Sequence, residues 1–262
     1  MKSVIVTGAG GGMGKSICRR LSDGGYRVFG IDIGDYDHEC CERYSCDITD
    51  AEAVTDTIKA IAEKAGQIFA VVHAAGIYRL NSLVEMSEDE FTGIFNVNLF
   101  GVYRVNKAVM PYLTKGSRIV IVTSELAPLD PLPFTGIYGI TKSALEKYAD
   151  SLRMELNLLG ISVSVIRPGA TRTPLLGDST DALEKFNEST VLYKYNAARF
   201  KTVVDSVESK SVSADKIGAL AYRALGARCP RLLYNVNRNP LLILLSILPK
   251  RMQLLVIKMI LK

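Results

Sequence analysis

A phenol and an ammonium stand four residues apart in the run Tyr138-Gly139-Ile140-Thr141-Lys142. On a helix this spacing stacks both side chains on one face. A free tyrosine, with a pKa of about 10, is a poor acid or base at neutral pH. A cation held beside it stabilises the phenolate and draws that value toward working pH, which suits proton transfer. Surface helices produce such pairs by chance, so the pair gains its weight from its company. Upstream lie a glycine-rich loop from Gly8 to Gly14, an acid at Asp32, and Ser124 at the end of an apolar run. In that order these residues point to hydride transfer coupled to a proton relay.

The glycines of Thr7-Gly8-Ala9-Gly10-Gly11-Gly12-Met13-Gly14 permit a tight turn between a first strand and a first helix. They let backbone N–H groups approach a pyrophosphate at the helix N-terminus. A rival reading takes Ala9 to Ser16 as a P-loop with alanine in place of its first glycine, the mark of a nucleotide triphosphatase. Asp32 argues against it, because a carboxylate at the end of the second strand is placed to accept from adenosine ribose hydroxyls. The downstream residues also supply redox rather than phosphoryl-transfer chemistry.

The elements that must position these groups alternate. Strands are expected at Ser3 to Val6, Arg27 to Ile31, Arg43 to Cys46, Ile68 to His73, Arg118 to Val122 and Ile161 to Ile166. Helices are expected from Met13 to Asp23, stopped by Gly24-Gly25, and from Thr49 to Ala65, with Asp50 and Glu52 in the first turn. A long helix is expected from a Ser87 cap to about Leu113, and another from Ile137 to Leu159, ended by Gly160. The strands are continuously apolar rather than alternating, as in a parallel sheet covered on both faces. The pattern describes an α/β fold: one domain with a doubly wound parallel sheet of about seven strands, whose ligands sit at the C-terminal ends of the strands.

The chain has 262 residues, 48% of them hydrophobic, enough for one large core. A formal net charge of +5 is mild and does not mark a nucleic-acid binder. Five cysteines, with Cys40 and Cys41 adjacent, suit reduced thiols in a cytoplasmic compartment better than a disulfide framework. His38, Cys40, Cys41 and Cys46 crowd together, but their spacing matches no paired metal-binding pattern, so no metal is expected. The N-terminus runs directly into Val4-Ile5-Val6, so no signal peptide is expected.

With these residues in view, the chain resembles the short-chain dehydrogenase/reductase family over essentially its whole length. The family's glycine loop corresponds to Thr7, Gly8, Gly12 and Gly14, with Met13 beside them, and its adenine-contacting acid to Asp47, followed by Ile48. Its Asn-Asn-Ala-Gly segment appears as His73-Ala74-Ala75-Gly76, where both asparagines are replaced. His73 is expected to pack at a strand end rather than react. The family's helix asparagine corresponds to Asn98, its serine to Ser124, and its Pro-Gly segment to Pro168-Gly169-Ala170-Thr171-Arg172-Thr173.

The resemblance implies roles. Tyr138 moves the proton. Lys142 lowers the tyrosine pKa and holds the nicotinamide ribose. Ser124 donates to the substrate oxygen. Asn98 binds a water that links the lysine to solvent, or else caps a neighbouring backbone. Thr123 competes with Ser124, and strand alternation would turn the two to opposite sides. The loop before Tyr138 is about one residue longer than is common in the family, which leaves Glu125 as a rival for the register. Asp32 favours NAD over NADP, since its charge would repel a 2′-phosphate.

On the substrate side, residues 174–213 break the strand–helix rhythm. They carry Phe186, Tyr193, Tyr195 and Phe200 as either a lid or an ordinary helix pair with aromatic core. The tail, residues 240–262, is apolar and basic and too short to span a bilayer. Lying on an anionic membrane surface and burial against the lid or a second subunit both fit. Burial is the expected reading, because cores use such surfaces more often. The expected activity is an NAD-dependent oxidoreductase that interconverts a small apolar alcohol and ketone, such as a steroid, retinoid or acyl compound, in a homodimer or homotetramer. A dinucleotide-binding sensor or scaffold without efficient turnover is the alternative.

Overall fold

In a computed structural model of the chain, residues 1–34, 36, 39–208 and 210–262 are described, with the backbone alone for 174–181 and 205–208. A parallel seven-stranded sheet runs through the centre. Its strands are β1 (Ser3–Thr7), β2 (Arg27–Asp32), β3 (Glu42–Ser45), β4 (Ile68–His73), β5 (Arg118–Val122), β6 (Ser162–Pro168) and, beyond two short strands β7 (Thr171–Arg172) and β8 (Val212–Ser213), β9 (Leu233–Val236). The order across the sheet is β3-β2-β1-β4-β5-β6-β9. The chain winds outward from β1 to β3, then returns and winds the other way from β4. That reversal opens a crevice at the C-terminal ends of β1 and β4.

Strand residues alternate between two faces, and both faces are dry. Ile5, Phe29, Val71, Ile119 and Ile121 pack beneath α2 (Ala51–Ala65), α4 (Val102–Val109) and α5 (Gly136–Leu158). Val4, Val6, Val28, Ala70, Val72, Val120 and Val122 pack beneath α1 (Gly12–Asp23) and α8 (Asp215–Gly226). This two-sided burial is why the strands read as unbroken apolar runs. Burying a side chain such as Ile17 or Leu21 contributes about 1.5–3 kcal/mol, more than helix propensity does for any single residue other than proline.

The expected helix from Ser87 to Leu113 is instead divided. Ser87 caps α3 (Glu88–Phe95) through a reciprocal box with Glu90. A wide π turn at Asn96–Gly101 follows, then α4, then a 3₁₀ turn at Met110–Tyr112 that contains Pro111. The extra residue per π turn rotates the following face. Asn98 is thereby fully buried on the sheet side while Phe100 remains 49% exposed.

Helices α6 (Pro174–Ser189) and α7 (Lys194–Glu208) form a separate apolar cluster around Phe134. That residue sits in the left-handed region at φ 66°, with its ring 4.7 Å from Phe186 and 5.4 Å from Phe200. The tail folds into α9 (Pro240–Ile247) and α10 (Lys250–Leu261). Gln253 and Leu261 of α10 turn inward, and Asn196 of α7 donates to the Leu261 carbonyl at 2.7 Å. The other side of the tail is exposed, so burial accounts for only one of its faces. Among the described residues no helix is long and apolar enough to cross a membrane. Of the thiol-rich segment, His38 lies outside the described residues; Cys40 and Cys41 are half-buried and Cys46 is buried.

Candidate active site

The crevice holds two adjoining cavities. One, of about 530 Å³, is lined by Gly8, Gly10 to Gly14, Asp32, Tyr36, Asp47, Ile48, Ala74 to Ile77 and Thr173. The other, of about 220 Å³, holds Ser124, Tyr138 and Lys142 beside Pro168, Gly169 and Thr171. Met13, Ala74, Gly76 and Thr173 line both, so the two form one trough.

The phosphate-loop end is built from backbone. Gly8 adopts φ +71°, and a Cβ there would meet the Ala75 nitrogen at 2.5 Å. A Cβ on Gly14 would stand 1.9 Å from the Gly8 carbonyl oxygen. The N-cap of α1, Gly11, has no side-chain cap, and no acid occupies the first turn. An uncapped, acid-free helix start facing a trough is suited to an anionic group. These features fit a pyrophosphate-bearing dinucleotide. Ser16 does not face the trough: it is buried and its hydroxyl donates to Asp215 of α8 at 3.2 Å, which removes the P-loop serine from the site.

One expected contact, Thr7, sits differently from the sequence reading. Thr7 lies beneath the loop, 1% exposed, where its Oγ1 accepts weakly from the Ala75 N–H at 3.4 Å. It braces the turn rather than lining the trough. The carboxylate of Asp32 already accepts from the Gly10 N–H and the Ile33 N–H, each at 2.7 Å. Each oxygen keeps a lone pair, and the residue still lines the larger cavity. Asp47 is exposed on the same cavity and accepts from the Thr49 N–H at 2.8 Å.

At the other end, the Ser124 hydroxyl stands beside the Tyr138 phenol, where it favours the ionised form. The ammonium of Lys142, on the same helix, lies 5.6 Å from the Tyr138 ring centroid and donates to the Val122 carbonyl at 3.4 Å. Its effect on the phenol differs from the expectation. Burial pushes the Tyr138 pKa up to about 12, opposed in part by the Ser124 hydrogen bond. Burial also brings Lys142 down to about 8. The cation rests over the ring and on a carbonyl rather than at the phenol oxygen, and removal from water disfavours the charged form of both groups.

Of the two roles expected for Asn98, its bonds match the capping of neighbouring backbone. Its amide donates to the Ile77 carbonyl at 3.0 Å and to the Thr141 hydroxyl at 3.1 Å, while its oxygen accepts from the Ile77 N–H at 2.8 Å. Both N–H donors are therefore engaged in pinning the segment after β4 to α5. Thr123 and Ser124 diverge as the alternation predicts: the Thr123 hydroxyl donates to the Ile166 carbonyl at 3.4 Å within the sheet, whereas Ser124 lines the smaller cavity, as does Glu125.

Several further residues line the cavity, of which Tyr78, Val203, Val204 and Leu242 carry no local sequence signal. Tyr78 packs against Tyr138 with ring centroids 4.8 Å apart. Phe200, Val203 and Val204 of α7 and Leu242 of α9 wall the cavity. Glu125 is 6% exposed and accepts from the Asn239 N–H at 2.6 Å, tying the start of α9 to the site. Burial pushes its carboxyl up against the lowering influence of Arg238.

His73 is a strand-end packing residue. Its Nε2 faces Asn106 Oδ1 at 2.8 Å, its Nδ1 has no partner, and burial lowers its pKa to about 4. The neutral ring is thus favoured in the fold, so the unfolded chain takes up the proton first as pH falls. Stability is unaffected by this group above about pH 6.5 and is lost as pH falls from there to about 4. The full loss is on the order of 3 kcal/mol. His73→Asn should remove that part of the acid slope in denaturant titrations between those limits; an unchanged slope would exclude His73 as its source.

The comparisons with known proteins agree with this architecture. Residues 2–184 match the family described as short chain dehydrogenase. The oxidoreductase UcpA of Escherichia coli strain K12 is 33% identical over 186 residues, covering 66% of this chain and 71% of that protein. Estradiol 17-beta-dehydrogenase 2 of Mus musculus is 32% identical over 201 residues, covering 70% of this chain and 52% of that protein. The ligand-free aldohexose dehydrogenase of Thermoplasma acidophilum superimposes with a TM-score of 0.77 at 24% identity, over 92% of this chain and 94% of that one, a likeness of fold. A parallel sheet wound both ways from a glycine loop, with a trough at its switch point, is the architecture of a doubly wound α/β protein, and the family match makes it an oxidoreductase. This chain belongs to the short-chain dehydrogenase family.

Proposed function

We propose that the chain is an NAD(H)-dependent alcohol dehydrogenase/ketone reductase acting on a largely apolar secondary alcohol or its carbonyl. One observation carries the reading. Ser124, Tyr138 and Lys142 line one cavity walled by Leu126, Leu132, Phe200, Val203, Val204 and Leu242, continuous with the glycine-loop cavity. Likeness to an estradiol dehydrogenase supports an apolar substrate.

A nicotinamide dinucleotide, when bound, supplies or accepts the hydride. Gly8, Gly12, Met13 and Gly14 hold its phosphates, and Asp32 the adenosine ribose. In reduction, Ser124 donates to the carbonyl oxygen and stabilises the developing alkoxide. Tyr138 delivers its proton to that oxygen. Oxidation is the reverse and needs Tyr138 deprotonated first. With its pKa near 12 in the open site, the tyrosine keeps its proton at neutral pH and stands ready as the proton donor of the reductive step. Lys142 holds positive charge against the forming phenolate. Helices α6 and α7 act as the lid of a single domain, with Phe200 serving both cavity wall and aromatic core.

Absorbance at the nicotinamide band, followed with hydroxysteroids, retinol and short alcohols, tests this. Turnover should favour apolar substrates and NAD(H). Asp32→Ala should gain NADP use by about tenfold, since removing the carboxylate lifts its repulsion of a 2′-phosphate. A wild-type preference for NADP would overturn the cofactor assignment. Dinucleotide binding without turnover on any substrate would favour a sensor instead.

A further inference from the structure

We propose that the outer face of α9 and α10 docks on an anionic lipid surface. This deepens the reading of an apolar substrate, and it rests on that reading only for the route by which substrate arrives.

The charge is segregated. Residues 216–262 carry nine lysines and arginines and no aspartate or glutamate, whereas the preceding 215 residues carry 23 basic against 27 acidic side chains. The net positive charge of the chain therefore resides in its last stretch. There it is mixed with exposed apolar side chains rather than set against acids. On α9, Leu241, Leu244 and Ile247 recur at helical spacing and are 68%, 61% and 74% exposed. On α10, Met252, Leu255 and Met259 are 50%, 60% and 73% exposed, and Arg251, Lys258 and Lys262 are exposed on the same side. The opposite side of α10, with Gln253 and Leu261, is the buried one. Lys250 is committed to Asp130 and stands apart from this face.

Apolar side chains interleaved with cations on helices lying along a surface suit the interface of a negatively charged bilayer, where the side chains enter the acyl boundary and the ammonium groups meet headgroup phosphates. A second copy is a poorer occupant. A two-fold contact would set this acid-free basic face against itself. The placement also has a use. Leu242 lines the small cavity while Leu241 and Leu244 of the same helix face outward, so a single helix separates the cavity from the proposed lipid phase.

The test is flotation of the full chain with vesicles of phosphatidylcholine alone or of equal parts phosphatidylcholine and phosphatidylserine. Association with the anionic vesicles should exceed that with neutral ones by roughly a hundredfold, as three cations at about 1 kcal/mol each imply. It should weaken in raised salt. The combined Arg251→Glu, Lys258→Glu and Lys262→Glu variant should lose flotation while keeping its melting temperature and its turnover of a water-soluble ketone. That turnover reports the proposed activity separately from lipid binding. No flotation on either vesicle, equal flotation on both, or undiminished flotation of the variant would overturn the proposal. So would a vesicle-free dimer that the variant abolishes, which would assign the face to a second copy.

Discussion

Tyr138→Phe should lower turnover by about 10³-fold while leaving the fold and dinucleotide affinity in place. The substitution removes one oxygen from a half-buried ring that remains packed on Tyr78. The loss is chemical, because in the proposed mechanism the phenol is the group that gives up its proton to the alkoxide. Ser124 only donates a hydrogen bond, and Lys142 is held on the Val122 carbonyl at 3.4 Å. Wild-type oxidation should rise about tenfold per pH unit through the neutral range, since the phenolate fraction does so below a pKa of about 12. The variant should lose this dependence. Steady-state kinetics across pH, with dinucleotide titration by fluorescence as the control, decide it. A variant retaining more than a tenth of wild-type turnover would remove Tyr138 from the proton path.

Gly14→Ala should weaken dinucleotide binding by about 10²-fold, as ångström-scale misplacement of positioned groups does. The cause is local. The new Cβ would stand 1.9 Å from the Gly8 oxygen and 2.9 Å from the Ala9 Cα, both backbone atoms that no rotamer change can clear. The loop would have to lift, and Gly8 cannot follow freely because it is packed on Ala75 at φ +71°. Stability should fall by about 1–3 kcal/mol from the overpacking. Gly11→Ala is the internal control. Its Cβ would meet the Gly8 oxygen at 3.3 Å on an exposed turn, so it should bind the dinucleotide nearly as the parent does. Equal losses in the two variants would mean that the close approach at Gly14 has no special part in shaping the phosphate cradle.

Much of the frame was legible because its causes are local. Two-faced burial leaves unbroken apolar strands, so β1, β2, β4, β5 and β6 can be read from composition alone. Ser87, Asp50 and Gly160 mark helix ends through hydrogen bonds or φ values set within a few residues. The helix from Ser87 to Leu113 misled because a π turn leaves no distinctive mark on side-chain spacing over so short a run. The pairing of Tyr138 with Lys142 was legible for the same local reason: four residues on one helix share a face.

What the chain alone determined, then, was the order of elements, the glycine loop and the conjunction of Ser124, Tyr138 and Lys142. The tertiary structure decided how those groups behave and what surrounds them. It set the direction of the Tyr138 shift, because desolvation depends on every element that closes over the ring. It brought Phe200, Leu242 and Asn239 to the site from 62, 104 and 101 residues beyond Tyr138, distances over which spacing carries no information. It also divided the tail into a buried face and an exposed one. Helical periodicity announces an apolar stripe, but only packing against α7 determines which stripe is covered.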